Sequence, residues 1–132
     1  MLVTEMAAYY KTQGLTLFDA LNLLYEKYGF YAEKSDNFVI TSLNVNEQMT
    51  NFMNSIHQNP PKDFAKATLV SFGDYKNQEI TNITTGDKIP TNLPVSDVLS
   101  FGLDSGDTII VRPSGTEPKV KIYYLLCGKN EA

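Results

Sequence analysis

Three segments in the last third of the chain are rich in β-branched, aromatic and other apolar residues and are separated by short turn signals. The first two, SDVLSFGLD (96–104) and DTIIVRP (107–113), flank a Ser-Gly pair, which favours a tight β-hairpin. The third, KVKIYYLLC (119–127), follows after a second turn. The sequence therefore predicts an antiparallel sheet in this part of the chain.

Helical spacing is found towards the N-terminus. Apolar residues of the stretch 2–28 recur every three or four positions, with a break at Gly14, and predict a helical hairpin. Thr16 and Asp19 have the spacing of a capping box, and Gly29 suits a helix end. A third helix is predicted after Asn44 and Glu47, which form a second capping pair, with an apolar stripe made by Met49, Phe52, Met53 and Ile56.

The remaining segments predict further strands and one long loop. Residues 30–40 indicate a strand, or a hairpin around Ser-Asp-Asn, and residues 66–77 indicate another strand. Residues 77–96 are rich in Asn, Thr, Gly, Asp and Pro and predict mostly loop. Strands with helices segregated around them indicate an α+β fold, an antiparallel sheet with flanking helices. A final helix that covers the sheet is expected after the last strand, but the sequence stops at GKNEA.

Charge and cysteine content narrow the function classes. The net charge of -4 disfavours nucleic acid and anionic membrane as partners, so an anion site must be local. No apolar run approaches the roughly 20 residues that a membrane-spanning helix needs. The single cysteine, Cys127, cannot form an intrachain disulfide, and the N-terminus lacks secretory features, so a cytoplasmic location is predicted.

The stretch RPSGTEP (112–118) combines stiffness with anion-binding groups. Pro113 and Pro118 restrict the backbone, while Gly115 allows dihedral angles closed to other residues and lets a ligand approach main-chain N–H groups. Ser114 and Thr116 add hydroxyl donors, and Arg112 offers a two-pronged donor suited to phosphate. From the residues alone, a solvated hairpin turn and a phosphate or carboxylate cradle both stay open.

The segment VRPSGTEPKVKIYY (111–124) closely resembles the phosphate-binding loop in the C-terminal domain of the α-D-phosphohexomutases, the phosphoglucomutase/phosphomannomutase family. Residues 5–31 are similar to the end of that family's third domain, and FGDY (72–75) and LPVSDVLSF (93–101) are similar to its fourth. The resemblance implies residues 1–43 as the end of the preceding domain and hinge, and residues 44–132 as the C-terminal phosphate-binding domain. It also implies a TATA-binding-protein-like fold for the latter.

The family's members are isomerases of carbohydrate metabolism that move a phosphoryl group through a phosphoserine and bound Mg²⁺. For this chain the resemblance implies part of a phosphoglucomutase, with glucose 1-phosphate, glucose 6-phosphate and glucose 1,6-bisphosphate as ligands. Phosphomannomutase, phosphoglucosamine mutase and phosphopentomutase stay open. The phosphate that is not transferred would be bound by residues of the loop, namely Arg112, Ser114, Gly115, Thr116 and Lys119, with Glu117 in the turn's internal hydrogen bonding.

The family's serine-nucleophile, metal and sugar-specificity segments are absent from these residues. Hence no catalytic residue and no metal ligand is assigned, the chain alone is expected to be inactive, and its partners would be the N-terminal domains of the same enzyme. A stand-alone, non-catalytic module that binds a phosphorylated ligand or a partner protein is the alternative of another class.

Four other residues have ordinary structural explanations. His57 is predicted to serve the end of the third helix, where a cation is favourable. Cys127 is expected to pack as a small apolar residue, and Asp104 and Asp107 to serve the turn between the first two strands of the last third.

Overall fold

A computed structural model describes residues 1–41 and 44–128. The chain divides into two compact units. One comprises residues 1–31 with the C-terminal residues from 127 onward, and the other comprises residues 32–126. The predicted domain boundary at residue 43 falls on a residue outside the described ranges.

The first unit contains the predicted helical hairpin, α1 (Leu2–Thr12) and α2 (Leu17–Tyr28). The capping box that begins α2 is confirmed: the Asp19 N–H donates to Thr16 Oγ1 at 3.1 Å, and the Thr16 N–H donates to Asp19 Oδ2 at 2.8 Å. These bonds satisfy backbone donors that the first helical turn leaves unpaired. Gly29 ends the helix with a φ of +99°, which favours glycine.

The second unit contains most of an eight-stranded sheet whose strand order is β1-β8-β7-β6-β3-β4-β5, with β2 paired to β3. The registered pairs, from β2–β3 to β7–β8, are antiparallel. Together with the helices, this confirms the predicted α+β class. The strands are β1 (Phe30–Val39), β2 (Asp63–Phe64), β3 (Ala67–Asp74), β4 (Glu79–Asn82), β5 (Lys88–Pro90), β6 (Leu99–Leu103), β7 (Thr108–Pro113) and β8 (Lys119–Gly128).

The predicted third helix is α3 (Val45–Gln58), and Met49, Met53 and Ile56 of its apolar stripe pack in the core, whereas Phe52 is exposed. Met53 is almost completely buried, as are Leu99 and Phe101 in β6. The Phe101 ring packs against the rings of both Phe64 and Phe72, with centroid distances of 5.4 Å to each. The core therefore sits between α3 and the central strands, and it fixes α3 relative to the sheet.

Three expectations need correction in part or in full. Of the two alternatives for residues 30–40, the single strand is confirmed by β1, which lies beside β8, and the hairpin around residues 35–37 is wrong. Most of the stretch 77–96 is turn and loop, as predicted, but two short strands that the sequence did not indicate, β4 and β5, pair within it and extend the sheet beyond β3. Asn44 is the N-cap of α3, but its side chain donates to Glu47 Oε2 at 3.4 Å and makes no cap bond.

None of the helices in the described ranges is long and apolar enough to cross a membrane.

Candidate functional site

The candidate loop, residues 114–118, joins β7 to β8. The Ser114 N–H donates to the Lys119 carbonyl oxygen at 2.8 Å, and the Lys119 N–H donates to the Glu117 carbonyl oxygen at 2.8 Å. The last ladder pairs before the loop are Arg112 with Lys121 and Pro113 with Val120. The turn is thus closed by its own backbone hydrogen bonds on the end of a paired hairpin, which is a rigid support for a binding loop.

A cavity of about 270 Å³ lies between this loop and the first turns of α3. The loop side contributes all five of its residues, Ser114 to Pro118, and the helix side contributes Val45, Asn46 and Met49. The Pro118 carbonyl oxygen accepts a hydrogen bond from the Ile40 N–H at 2.9 Å, which ties the end of the loop to the segment after β1. The helix wall of the cavity could not be inferred from the loop sequence, since it depends on how α3 packs.

Gly115 leaves open space beside the backbone of the loop, but it does not have an unusual backbone angle. Its φ does not lie in the left-handed region, so the sequence argument about its dihedral freedom was wrong. A Cβ built on Gly115 would meet no atom within 4 Å. The absence of a side chain here leaves the backbone open to a ligand.

The predicted phosphate-binding residues fall into two groups. Ser114, Gly115 and Thr116 line the cavity together. Arg112 and Lys119 do not line it. Arg112 is exposed next to the buried Val111, and successive strand residues point to opposite faces, so Arg112 lies on the face away from the core.

Lys119 forms an ion pair inside the loop: its Nζ lies 2.6 Å from Glu117 Oε2. The Lys119 side chain is 20% exposed and that of Glu117 is 57% exposed. The hydrogen bond and the positive charge of Lys119 lower the pKa of the Glu117 carboxyl below its usual range, with a smaller contribution from Lys121. Glu117 therefore takes part in the turn's own bonding, as the sequence suggested, and remains ionised beside the cavity.

A second polar cluster, which we call the His57 cluster, comprises His57, Asp74 and Asp97. His57 Nδ1 lies 2.7 Å from Asp74 Oδ2, and His57 Nε2 lies 3.2 Å from Asp97 Oδ1. Carboxylates at both ring nitrogens suit the imidazolium form, in which both nitrogens donate. His57 does lie in the last turn of α3, as predicted, but its partners are 17 and 40 residues away in sequence and no local signal could have found them.

Asp74 is the buried member of the His57 cluster. Its carboxylate also accepts from the backbone N–H groups of Lys76 and Asn77, at 3.1 Å each, and from Asn77 Nδ2 at 2.7 Å. Burial raises the pKa of the Asp74 carboxyl, but the bonds from His57 and Asn77 outweigh it, so the pKa lies below its usual value. This cluster joins the end of α3 to the end of β3.

The other residues singled out by sequence are Asp104 and Asp107, in the β6–β7 turn, and Cys127, near the end of β8. Asp104 accepts from the Thr68 N–H at 3.0 Å, which ties the β6–β7 turn to β3, and Ser105 Oγ donates to Asp107 Oδ2 at 2.6 Å. Cys127 is exposed, so the expectation that it packs in an apolar environment was wrong. It lies near the end of β8, where the strand has left the core.

In residues 1–41 and 44–128, no group of three or more His, Cys, Asp or Glu side chains is placed to hold a metal ion. The Mg²⁺ that the resemblance implies for an intact enzyme therefore has no such group of ligands among these residues.

Comparisons with known proteins identify the family to which the chain belongs. Residues 54–125 match the family model described as "Phosphoglucomutase/phosphomannomutase, C-terminal domain". The chain is 33% and 32% identical to the glucose 1,6-bisphosphate synthases of Pongo abelii and Homo sapiens, over 97% of its own length and 21% of theirs. It is 30% identical to a phosphoglucomutase of Staphylococcus aureus (strain bovine RF122 / ET3-1), over 95% of its length and 22% of the relative's.

The chain spans about a fifth of the length of these curated relatives. The family match covers more than half of the chain, and it includes the core strands, most of β8 and the candidate loop. The chain belongs to the phosphoglucomutase/phosphomannomutase family, and it contains that family's C-terminal domain.

Proposed function

We propose that the chain binds the phosphate group of a phosphosugar at the loop 112–119. The observation that carries this proposal is the cavity in which Ser114, Gly115 and Thr116 meet the first turns of α3. Two hydroxyl groups and the open backbone at Gly115 offer uncharged donors to an anion. Arg112 and Lys119 are the cations at the two ends of the loop, in β7 and β8, although neither lines the cavity, and in this proposal they supply positive charge to the bound anion.

We propose further that the loop belongs to a phosphoglucomutase, an isomerase that interconverts glucose 1-phosphate and glucose 6-phosphate. The names of the relatives, which include phosphoglucomutase and glucose 1,6-bisphosphate synthase, support a glucose phosphate as the ligand. A phosphomannomutase, phosphoglucosamine mutase or phosphopentomutase would use the same loop on another sugar. The predicted cytoplasmic location is part of this proposal.

In the complete enzyme the loop would hold the phosphate that is not being transferred. Binding energy obtained at this remote phosphate orients the reacting end of the sugar, where phosphoserine and Mg²⁺ in the N-terminal domains would carry out the transfer. Residues 1–43 would then be the end of the preceding domain and the hinge, and residues 44–132 the phosphate-binding domain. The task of this chain is capture and orientation, and its own residues perform no bond-breaking step.

The hydroxyl groups of the loop give a direct test. We expect Ser114→Ala and Thr116→Val each to weaken binding of glucose 6-phosphate by about tenfold or more, since a hydrogen bond to a charged group contributes about 1.5–3 kcal/mol. Ser105→Ala is the matched control, because it removes a hydroxyl from the β6–β7 turn instead. Equal affinities of the wild-type chain and both loop variants would contradict the proposal.

A further inference from the structure

The candidate loop already holds an anion of its own. Glu117 is one of the residues that line the cavity, and its carboxylate lies 2.6 Å from the ammonium group of Lys119. Lys119 is the cation nearest in sequence to the end of the loop, and it is absent from the cavity lining while this pair is closed. A phosphate that enters the cavity therefore finds the lysine already paired with a carboxylate.

The two members of the pair differ in their freedom to move. Glu117 is more than half exposed and projects from a turn, whereas Lys119 is four-fifths covered and belongs to β8. Opening the pair therefore moves the glutamate into water and leaves the lysine in place. Since exposed ion pairs contribute little to stability, a bound anion can compensate for the loss of this one.

The charge of the incoming anion decides whether this exchange is favourable. A singly charged anion replaces one singly charged partner of Lys119 with another, so its interaction with the ammonium group is hardly stronger than that of the Glu117 carboxylate. A doubly charged phosphate monoester interacts about twice as strongly with the same ammonium group at the same distance, because the interaction scales with the product of charges. The exchange is favourable for the dianion only.

We propose that Glu117 is a displaceable counter-ion of Lys119, and that only a dianionic phosphate monoester displaces it and recruits Lys119 as a ligand. This inference rests on the proposed function, since it concerns the same loop. It assigns Glu117 a role in selecting the charge state of the ligand. Diesters and carboxylates, which carry one charge, would reach the hydroxyl side of the cavity without Lys119.

The full chain is tested with two probes: methyl phosphate, which is a dianion well above its second pKa of about 6, and dimethyl phosphate, a monoanion. The side-chain carboxyl ¹³C resonance of Glu117 and the backbone amides of residues 114–117 are followed by NMR at pH 7.5. Methyl phosphate is expected to shift the Glu117 carboxyl towards the value of an unpaired glutamate. Dimethyl phosphate is expected to leave that resonance in place, and an equal shift with both probes would overturn the charge selection.

Affinities for methyl phosphate complete the test. Glu117→Gln is expected to tighten binding by about threefold or more, and the gain should vanish in a background that carries Lys119→Gln. Glu79→Gln is the control, since it opens the Glu79–Lys88 pair, also 2.6 Å long, far along the sheet on β4 and β5 with the same charge change. It should leave the affinity unchanged.

Each other result has a distinct meaning. Weaker binding by Glu117→Gln would show that the carboxylate holds Lys119 ready for the ligand, and an equal gain in the Lys119→Gln background would show simple repulsion without exchange. Either result overturns the inference while leaving phosphate binding at the loop intact. No amide shift at residues 114–117 in the wild-type chain and in Glu117→Gln would overturn the proposed function together with the inference.

Discussion

Replacing His57 with alanine should destabilise the second unit, because it removes one member of a largely buried ionic cluster. The His57 side chain is 11% exposed and that of Asp74 is 7% exposed. Removing one partner of a buried pair costs about 3–5 kcal/mol, since the remaining charge is left without compensation. Asp74 keeps three N–H donors from Lys76 and Asn77, so we expect a loss near the lower end, about 3 kcal/mol.

The size of this loss should depend on pH through Asp74. Its folded-state pKa is lowered, so the stabilisation that it provides is present above the ordinary carboxyl value and is lost as the pH falls through the folded-state value. In the His57→Ala variant the carboxyl loses a main cause of that lowering. The difference in unfolding free energy between wild type and variant should therefore narrow on acidification below pH 4.

Urea unfolding of the full chain at pH 7 and at pH 3.5 measures both effects. A loss of about 3 kcal/mol corresponds to a decrease of about 1.5 M in the urea midpoint for a slope of about 2 kcal/mol/M. Gln58→Ala is the control, because Gln58 is exposed in the same helical turn. A loss at pH 7 no greater than that of the control, or a difference that does not change with pH, would refute this reasoning.

Three further predictions concern a cap, the core and the loop. Thr16→Ala should destabilise the start of α2 by about 1 kcal/mol, because it removes the hydroxyl group that accepts a hydrogen bond from the Asp19 N–H. The Asp19 amide should then exchange its hydrogen faster, and an unchanged exchange rate would contradict the capping role of Thr16. Phe101→Ala should lower the free energy of unfolding by about 3–5 kcal/mol in urea titrations, because the ring is 1% exposed at the centre of the core, and a loss below about 2 kcal/mol would be inconsistent with that placement. Arg112→Ala should change the free energy of unfolding by less than about 0.5 kcal/mol, since Arg112 is exposed. It should weaken glucose 6-phosphate binding about tenfold in calorimetry, and an unchanged affinity would show that Arg112 does not bind the phosphate.

Local chemistry was sufficient to predict the helices and the hairpin. The capping box at Thr16 and the Ser-Gly turn between β6 and β7 each depend on interactions among residues a few positions apart, so both can be predicted from the local sequence alone. The predictions that were wrong or incomplete concern segments whose structure depends on distant partners. Residues 35–37 favour a turn on their own, yet the strand order places β1 beside β8, and β4 exists because β3 offers it a ladder.

The candidate site shows the same division. The hydroxyl groups and the glycine of the loop could be read directly, because they are consecutive residues in a hairpin turn. The wall formed by Val45, Asn46 and Met49 could not, since it depends on the packing of α3 through Met53. The engagement of Lys119 by Glu117 required coordinates, because a spacing of two residues alone does not tell whether two side chains meet.

The measurement that tests the central claim most directly is an NMR titration of the full chain with inorganic phosphate, glucose 1-phosphate and glucose 6-phosphate. A preformed phosphate site predicts amide shifts centred on residues 114–117, with smaller shifts at Val45 and Asn46 across the cavity, for all three ligands. Saturable shifts of this kind at millimolar ligand would support the loop as the phosphate cradle. Shifts that are absent from residues 112–119, or that centre elsewhere on the chain, would contradict it.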